Sequence, residues 1–246
     1  MFRPFLLLLL AVAPVFTAPK YQNDKFVIAL LKYEGDWDTR SQGVKSIAVE
    51  VMNRTSVNMP LHPRPVTLSD PDLFYFPFLL MTGSRGFPSF TPTERQRFRR
   101  YLESGGFLLI DNSAGVRDND FDKAVRREMT ALFPDSPLSV LDADHSIYRS
   151  FYLMRRTYFG GRVKSAPYLE GVTLGDLTPV IYSLNDAAGA WMRDPSGNFV
   201  FDAIPGGELQ RRDAFKFGVN AVIYALTANY KKDAVHAKAI LKRRRR

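Results

Sequence analysis

Residues 101–115 read YLESGGFLLIDNSAG, and this stretch is the most informative part of the chain for its fold class. The pattern predicts a helix that ends at Gly105-Gly106, an apolar strand over residues 107–110 and a polar turn that begins at Asp111. A continuous apolar run between a helix and a polar turn is typical of a strand buried on both faces, as in a parallel sheet. Ligands of open α/β sheets bind beyond the carboxyl ends of such strands, so the segment also indicates where a site would lie.

The alternation of apolar strands with helices continues outward in both directions. The predicted strands are short apolar runs over residues 25–31, 78–81, 107–110, 138–141, 178–184 and 198–201. The predicted helices carry apolar residues at three- and four-residue steps and cover residues 41–53, 91–105, 120–133 and a last segment that begins near 213. Residues 142–176 show neither pattern. This order predicts one α/β domain with a mostly parallel, doubly wound sheet.

A capping motif marks the helix that precedes the 107–110 strand. Thr91, Pro92 and Glu94 occupy the positions of an N-cap, a first helical residue and a third helical residue. In a capping box, a threonine and a glutamate spaced in this way bond each other's backbone amides, and proline suits the first helical position. We therefore predict that this helix begins at residue 92.

The first residues, MFRPFLLLLLAVAPVFTAPK, have the pattern of a secretory signal peptide. Arg3 supplies the basic start, and the apolar core of twelve residues (5–16) is shorter than the roughly 20 residues that span a bilayer. The predicted organisation is a signal peptide over residues 1–18, an α/β domain over 19–230 and a basic tail over 231–246. Two alternatives stay open at the N-terminus, namely cleavage at a neighbouring bond and retention as a short anchor.

The composition excludes several classes of chemistry. The chain has 246 residues, of which 46% are hydrophobic, and it contains no cysteine. A chain of this length and apolar content can form one large core. The missing cysteine excludes disulfides, a cysteine nucleophile and thiolate metal sites. Neither a cofactor nor a resident metal is predicted.

The positive charge is concentrated at the C-terminus. Residues 231–246 hold eight lysines and arginines and one acid, which is +7 of the formal net charge of +9. Such a run is usually solvated, and in an exported protein it would contact anionic lipid or polymer. Nucleic acid is not an expected partner, because the rest of the chain is close to neutral.

Polar residues follow the predicted strands at the points where those strands end. Because the carboxyl ends of parallel strands lie on one edge of a sheet, these residues could converge on one ligand crevice. The structural alternative is that aspartate and asparagine cap the next helix or start a turn, and that tryptophan packs in the core. The candidate binding residues are Asp36, Trp37, Gly83, Asn112, Asn185 and Asp186.

Ser113 carries the sharpest catalytic hypothesis. A nucleophile elbow reads G-x-S-x-G after a strand, and here Gly115 is present while Asp111 replaces the first glycine. His145 lies downstream as a candidate base, and Asp111 as an acid beside the serine. Two alternatives remain for these residues: a loop histidine that serves structure alone, and a metal site formed by Asp111, Asp186 and His145.

The chain also resembles a known family. It is similar to the DUF4159 family of bacterial proteins in a set of stretches that occur in order and cover nearly all of the domain. These stretches are LKYEGDW (31–37), DPDLFYFPFLLMTG (70–83), RRYLESGGFLLIDNSAG (99–115), FDKAVRREMTALFPD (121–135), DADHSIYRSFY (142–152), PVIYSLNDAAGAW (179–191) and FGVNAVIYALT (217–227).

The resemblance implies a three-layer flavodoxin-like sandwich of the class I glutamine amidotransferase-like superfamily. Glutaminase chemistry is not implied, because that chemistry needs a cysteine nucleophile. The family residues that carry over have no assigned role, and they are Tyr33, Asp36, Trp37, Gly83, Asp111, Gly115, Asp144, His145, Tyr182, Asn185, Asp186 and Asn220.

Two functions follow as hypotheses. The first is a non-catalytic binding or scaffold module of the periplasm or cell envelope, with a small molecule, a glycan, a wall fragment or an envelope protein as partner. The second is an envelope hydrolase that uses Asp111, His145 and Ser113. A fold alone favours neither, because one fold supports many activities.

Overall fold

The computed structural model describes residues 25–154 and 160–243, with side chains described as far as residue 227. The predicted signal peptide lies outside the described residues, and so do the side chains of the predicted basic tail. Within the described part of the chain, no helix is long and apolar enough to cross a membrane.

Seven strands form one sheet. They are β1 (Ile28–Leu31), β2 (Arg64–Val66), β3 (Phe78–Gly83), β4 (Phe107–Asn112), β5 (Ser139–Val140), β6 (Glu170–Leu174) and β7 (Leu177–Ser183). Their order across the sheet is β2-β1-β3-β4-β7-β6-β5. The first five strands of this order are parallel, and β6 and β5 join as antiparallel neighbours at one edge.

The prediction of a mostly parallel, doubly wound sheet is confirmed. The five parallel strands follow the flavodoxin-type order, in which the second and first strands precede the third. The antiparallel edge was not expected, because β6 lies within the region that showed no pattern. Apolar and polar residues do not alternate clearly along β6. Gly171 of this strand allows the close approach of Leu141, because a Cβ at position 171 would lie 2.8 Å from the Leu141 Cδ2 atom.

Helices cover both faces of the sheet. They are α1 (Ser41–Arg54), α2 (Pro92–Glu103), α3 (Asp120–Leu132), α4 (Ala187–Trp191) and α5 (Gly207–Arg243). Helices α1, α4 and α5 contact one another over one face, and α2 contacts α3 over the other. The strand β4 serves both cores, since Phe107 and Leu109 pack on the first face while Leu108 and Ile110 pack on the second.

Besides β6, four elements differ from the sequence prediction. Strand β2 forms in a Pro-rich segment for which no strand was predicted. Helix α5 begins at Gly207 rather than near 213. The run AAGAW forms helix α4, which is too short and too rich in small residues to show a helical period. The strand expected over residues 198–201 is reduced to a single bridge between Arg193 and Phe199, so this segment is a small hairpin beside the main sheet.

The capping box at α2 is confirmed and generates a stability prediction. The Thr91 hydroxyl accepts from the Glu94 amide at 3.2 Å, and the Glu94 carboxylate accepts from the Thr91 amide at 2.9 Å. Replacing Thr91 by alanine leaves the Glu94 amide without its partner, so we expect the free energy of unfolding to fall by about 1 kcal/mol. Urea titration followed by circular dichroism measures this loss.

Thr93→Ala is the matched control, because Thr93 is an exposed residue of the same helical turn. Its free energy of unfolding should stay within about 0.5 kcal/mol of the wild type. Equal losses in both variants would show that the capping box contributes nothing.

Candidate functional site

The sheet brings the predicted site residues of three strands together at the carboxyl ends of those strands. Asp111 lies opposite Thr82 of β3 on one side and Ser183 of β7 on the other. Asn112 lies opposite Gly83, and Asn185 and Asp186 follow directly after β7. The expected convergence at the carboxyl ends of the strands is therefore present.

This edge is a buried polar network rather than an open crevice. The side chains of Asp111, Asn112, Asn185 and Asp186 are fully buried, and Ser113 is 3% exposed. A buried polar group destabilises the fold unless it is hydrogen-bonded, so the partners of these residues decide what the cluster does.

Asp111 holds the start of helix α4. Its two carboxylate oxygens accept from the amides of Ala187 at 2.9 Å and Ala188 at 2.8 Å. Burial and the neighbouring Asp186 raise the pKa of Asp111 to about 7, although the two amides favour the charged form. Both carboxylate oxygens of Asp111 thus accept hydrogen bonds from backbone amides of the same chain.

Asp186 is the electrostatic centre of the cluster. Arg40 binds both of its carboxylate oxygens, at 2.8 and 2.9 Å, and Arg162 binds one of them from a different loop at 2.5 Å. The side chain also accepts from the Gly189 amide at 3.0 Å and so caps helix α4. Burial alone would lower the pKa of Arg40, but the bonds to Asp186 outweigh this effect and raise it.

The backbone of Asp186 is left-handed, with φ of 53° and ψ of 57°. A residue other than glycine adopts this conformation at an energetic cost, which surrounding contacts must offset. The bonds from Arg40, Arg162 and the Gly189 amide provide those contacts. The close fit also explains Gly189, since a Cβ there would stand 2.4 Å from the Asp186 carboxylate.

Ser113 does not sit on a nucleophile elbow. The left-handed residues of its turn are Gly115 and Asp118, and no helix follows Ser113 directly. Its hydroxyl shares a hydrogen bond of 2.7 Å with Thr39, and Thr39 in turn bonds Thr82 at 3.1 Å. Ser113 is therefore part of a chain of three hydroxyl groups that joins the ends of β3 and β4 to the loop before α1.

The structure separates His145 from Asp111 and Ser113, which corrects the expectation that these residues act together. The His145 Nε2 atom lies 3.0 Å from the Thr178 hydroxyl, at the start of β7. Thr178 stands five residues before Ser183, which is about 17 Å at the usual rise of a strand. His145 thus lies at the amino-terminal end of the parallel strands, opposite to the end that carries Asp111 and Ser113. There its Nδ1 accepts from the Ile147 amide and caps a short helix.

The same separation removes the metal site that combined Asp111, Asp186 and His145. Among the described residues, no group of three or more histidines, aspartates or glutamates is arranged to hold a metal ion. Asp111 already accepts from two amides of α4, and Asp186 accepts from Arg40, Arg162 and the Gly189 amide.

Asp36 and Gly83 shape the neighbouring turn after β3. The Asp36 carboxylate accepts from the Ser84 amide at 2.9 Å and from the Ser84 hydroxyl at 2.5 Å. Gly83 has no room for a side chain, because a Cβ would stand 2.2 Å from the Tyr33 hydroxyl and 2.5 Å from Phe121. These two positions therefore carry structural roles in this turn.

Trp37 is half-buried and packs against both cores. Its carbonyl oxygen accepts from the Thr82 hydroxyl at 3.1 Å, and the Lys32 ammonium lies 5.7 Å from its ring centroid. The residue thus anchors the loop between β1 and α1 while it keeps part of its ring at the surface.

Asn112 bridges its own turn, and Asn185 joins the end of β7 to the loop 160–168. The Asn112 amide group donates to the Val116 carbonyl at 2.9 Å, and its carbonyl accepts from the Ala114 amide at 3.0 Å. Asn185 bonds both the amide and the carbonyl of Ala166, at 2.8 and 2.7 Å. Both side chains therefore stabilise local loops rather than face solvent.

Sequence reasoning missed the two arginines that complete the cluster. Arg40 ends the loop DWDTR after β1, and Arg162 lies in the region without pattern. A signal for Arg40 was available, since a cation close after the first strand faces the same edge as the predicted aspartates. Arg162 had no comparable signal, because its position depends on how the loop 160–168 folds over the end of β7.

Other family-type residues also have clear structural roles. Asn220 of α5 accepts from the amides of Phe151 and Tyr152 and donates to the carbonyls of Ile147 and Tyr152. Tyr182 donates to the buried Asp122 at 2.9 Å. Burial and the charge of Asp122 raise the pKa of Tyr182, so its hydroxyl stays protonated.

The comparisons with known proteins point to one family. The family described as "Domain of unknown function (DUF4159)" matches residues 27–226. A search of curated proteins finds no match to the chain. The matched range begins just before β1 and ends within α5, so it includes the whole sheet and the buried cluster.

The first prediction for this cluster concerns Arg40. Arg40→Met keeps an unbranched side chain but removes the guanidinium, which leaves the buried Asp186 with one guanidinium partner instead of two. We expect the free energy of unfolding to fall by about 2–4 kcal/mol, because breaking a buried ion pair leaves the buried carboxylate only partly compensated. Urea titration at pH 7 measures the change.

Arg54→Met is the matched control, because Arg54 pairs with Glu50 at 3.0 Å on the surface and its side chain is 56% exposed. Exposed pairs of this kind contribute about 0–1 kcal/mol, so the control should lose much less stability. Similar losses in the two variants would contradict a special role for the Asp186 cluster.

The second prediction concerns the pH dependence that Asp111 generates. Its pKa is raised in the folded state, so the stabilisation is complete below the unfolded pKa near 4 and declines as the pH rises through about 7. Asp111→Asn removes this titration. Unfolding free energies measured from pH 4 to 8 should therefore show a wild-type decline, on the order of a few kcal/mol relative to the variant.

The difference between wild type and variant isolates Asp111, because all other titrating groups are shared. A difference that stays constant from pH 4 to 8 would overturn this assignment. A difference that changes in the opposite direction would show that the amides of α4 outweigh burial.

Proposed function

The chain belongs to the DUF4159 family, and we propose that it acts as a non-catalytic binding or scaffold module of the cell envelope. We further propose that it is exported by its N-terminal segment and works in the periplasm or at the envelope. A place in the class I glutamine amidotransferase-like, flavodoxin-like superfamily is part of the same proposal, and the strand order β2-β1-β3-β4-β7 supports it.

One observation carries the proposal of binding without catalysis. The strand-end carboxylates are enclosed and bonded within the chain, Asp111 by two amides and Asp186 by two arginines. A general acid or base must reach the proton that it transfers, and a nucleophile needs a base beside it. The described partners of the Ser113 hydroxyl offer no such base, since the contact is the Thr39 hydroxyl.

The buried cluster suits a scaffold role. It ties the loop before α1, the end of β4, the turn before α4 and the loop 160–168 into one rigid edge. Binding surfaces formed by loops on a rigid support need little ordering when a ligand arrives. The proposed ligands are a glycan, a wall fragment or an envelope protein, and the proposed contact of the basic tail is anionic lipid or polymer.

The hydrolase alternative is not supported by a specific contact. It needs His145 beside Ser113, and these residues lie at opposite ends of the parallel strands. We therefore propose the binding role alone.

The test combines binding and turnover in one experiment. The purified full-length protein is incubated with a panel of soluble wall fragments and glycans, and each mixture is followed by calorimetry and by chromatography of the products. We expect saturable binding with no product formed. A product whose formation is lost in Ser113→Ala would overturn the proposal.

Ser113→Ala also serves as the binding control. The substitution removes one buried hydrogen bond with Thr39, which is worth about 1 kcal/mol of stability. Ligand affinity should remain within about twofold of the wild type, because the hydroxyl is enclosed and faces no ligand.

A further inference from the structure

A groove beside the buried cluster offers a ligand site of its own. It lies between α1 and the first turns of α5 and is closed at its ends by the loop 61–63 and the hairpin 193–199. Its volume is about 830 Å³. This is within the range of small-molecule sites, which is about 300–1,000 Å³. We refer to it as the α1–α5 groove.

Part of the groove is apolar. Val49 and Leu61 are each 38% exposed, and both lie on its wall. Phe199 and Phe215 add two aromatic rings whose centroids are 6.2 Å apart. Exposed aliphatic and aromatic groups that share one concave surface favour a ligand with an apolar portion.

Phe199 is held firmly in place. The guanidinium carbons of Arg193 and Arg211 each lie 3.8 Å from the centroid of its ring. Arg211 is almost fully buried, and it also donates to the carbonyls of Ala190 and Phe201, so the ring rests on a fixed support. A ligand that meets this ring does not need to order it first.

The acids of the groove are already paired. Glu50 accepts from Arg54 at 3.0 Å, and Glu208 accepts from Arg211 at 2.9 Å. Asp194 accepts from the backbone amide of Asn198 at 2.9 Å and so closes the hairpin. Two of these three negative charges are therefore offset by arginines, while Asp194 is bonded by the neutral amide groups of Asn198.

Two cations of the groove, unlike its acids, have no partner among the described residues. Lys45 of α1 and Arg212 of α5 both line the groove and are exposed. Among the described residues, neither side chain has an ion-pair or hydrogen-bond partner. Two free cations from facing helices, beside paired acids, give the groove a positive character that complements an anionic ligand.

We infer that the α1–α5 groove binds a small organic anion with an apolar portion. The carboxylate or phosphate of the ligand pairs with Lys45 and Arg212, and the apolar portion lies against Phe215, Leu61 and the edge of the Phe199 ring. The inference rests on the proposed binding role, for which it supplies the site and the chemical class of the ligand. It requires no covalent step.

The test uses three probes that share one alkyl chain: octanoate, octyl phosphate and the neutral octyl glucoside, each below its micelle concentration. Full-length protein is titrated with each probe, and binding is followed by displacement of a fluorescent anilinonaphthalene sulfonate. We expect both anions to bind more tightly than the glucoside. The relative affinity of the two anions identifies the source of the charge as carboxylate or phosphate.

Charge reversal locates the site. Lys45→Glu and Arg212→Glu should each weaken the affinity for the anions by about three- to tenfold, since each removes an attraction and adds a repulsion. Arg100→Glu is the matched control, because Arg100 is an exposed residue of α2 outside the groove, and the net charge changes equally. Its anion affinity should stay within about twofold of the wild type.

The outcomes distinguish the groove from the proposed function. Equal affinity for the anions and the glucoside, or equal weakening in all three variants, would overturn the inference that the α1–α5 groove binds anions. A wall fragment that binds the wild type and both groove variants equally would also overturn the groove while supporting the binding role. Turnover of a ligand that the groove variants no longer bind would overturn the binding role and retain the groove. Circular dichroism of each variant verifies that it is folded.

Discussion

The carboxylate of Asp186 is the interaction on which this edge of the protein depends. It is fully buried, and it is bonded by Arg40 from the loop before α1 and by Arg162 from the loop 160–168. Both arginines also donate to the carbonyl of Ser113 at the end of β4. A single anion thereby joins segments that are far apart in sequence.

Charge balance explains why so many polar groups can be buried together. Asp111 and Asp186 are neighbours and would repel each other if both were charged and alone. The amides at the start of α4 face Asp111, and the two guanidinium groups face Asp186, so each carboxylate has its own set of donors. Buried polar networks of this kind are stable only when every member is satisfied. The fold meets this condition by closing the crevice in which a ligand was expected.

Because the carboxyl ends of the strands are closed, the proposed ligand site lies on the surface instead. A flavodoxin-type sheet commonly binds ligands beyond the carboxyl ends of its strands. Here the guanidinium groups of Arg40 and Arg162 lie over the same edge, at 4.8 and 5.6 Å from the ring of Phe201. The concave surface lies one layer outward, between α1 and α5, and the buried cluster supports both of its walls through Arg40 and α4.

The fold class and the end of the sheet at which polar groups meet were predictable from the residues alone. The run from Phe107 to Ile110 indicated a strand buried on both faces, and Thr91, Pro92 and Glu94 indicated the start of the helix before it, because both signals depend on neighbouring residues alone. The sequence did not predict helix α4, strand β6 or the role of the aspartates. The folded chain alone shows that Asp186 binds Arg40 and Arg162 and that His145 lies at the opposite end of the strands, because a contact between distant segments depends on the path of the loops that bring them together.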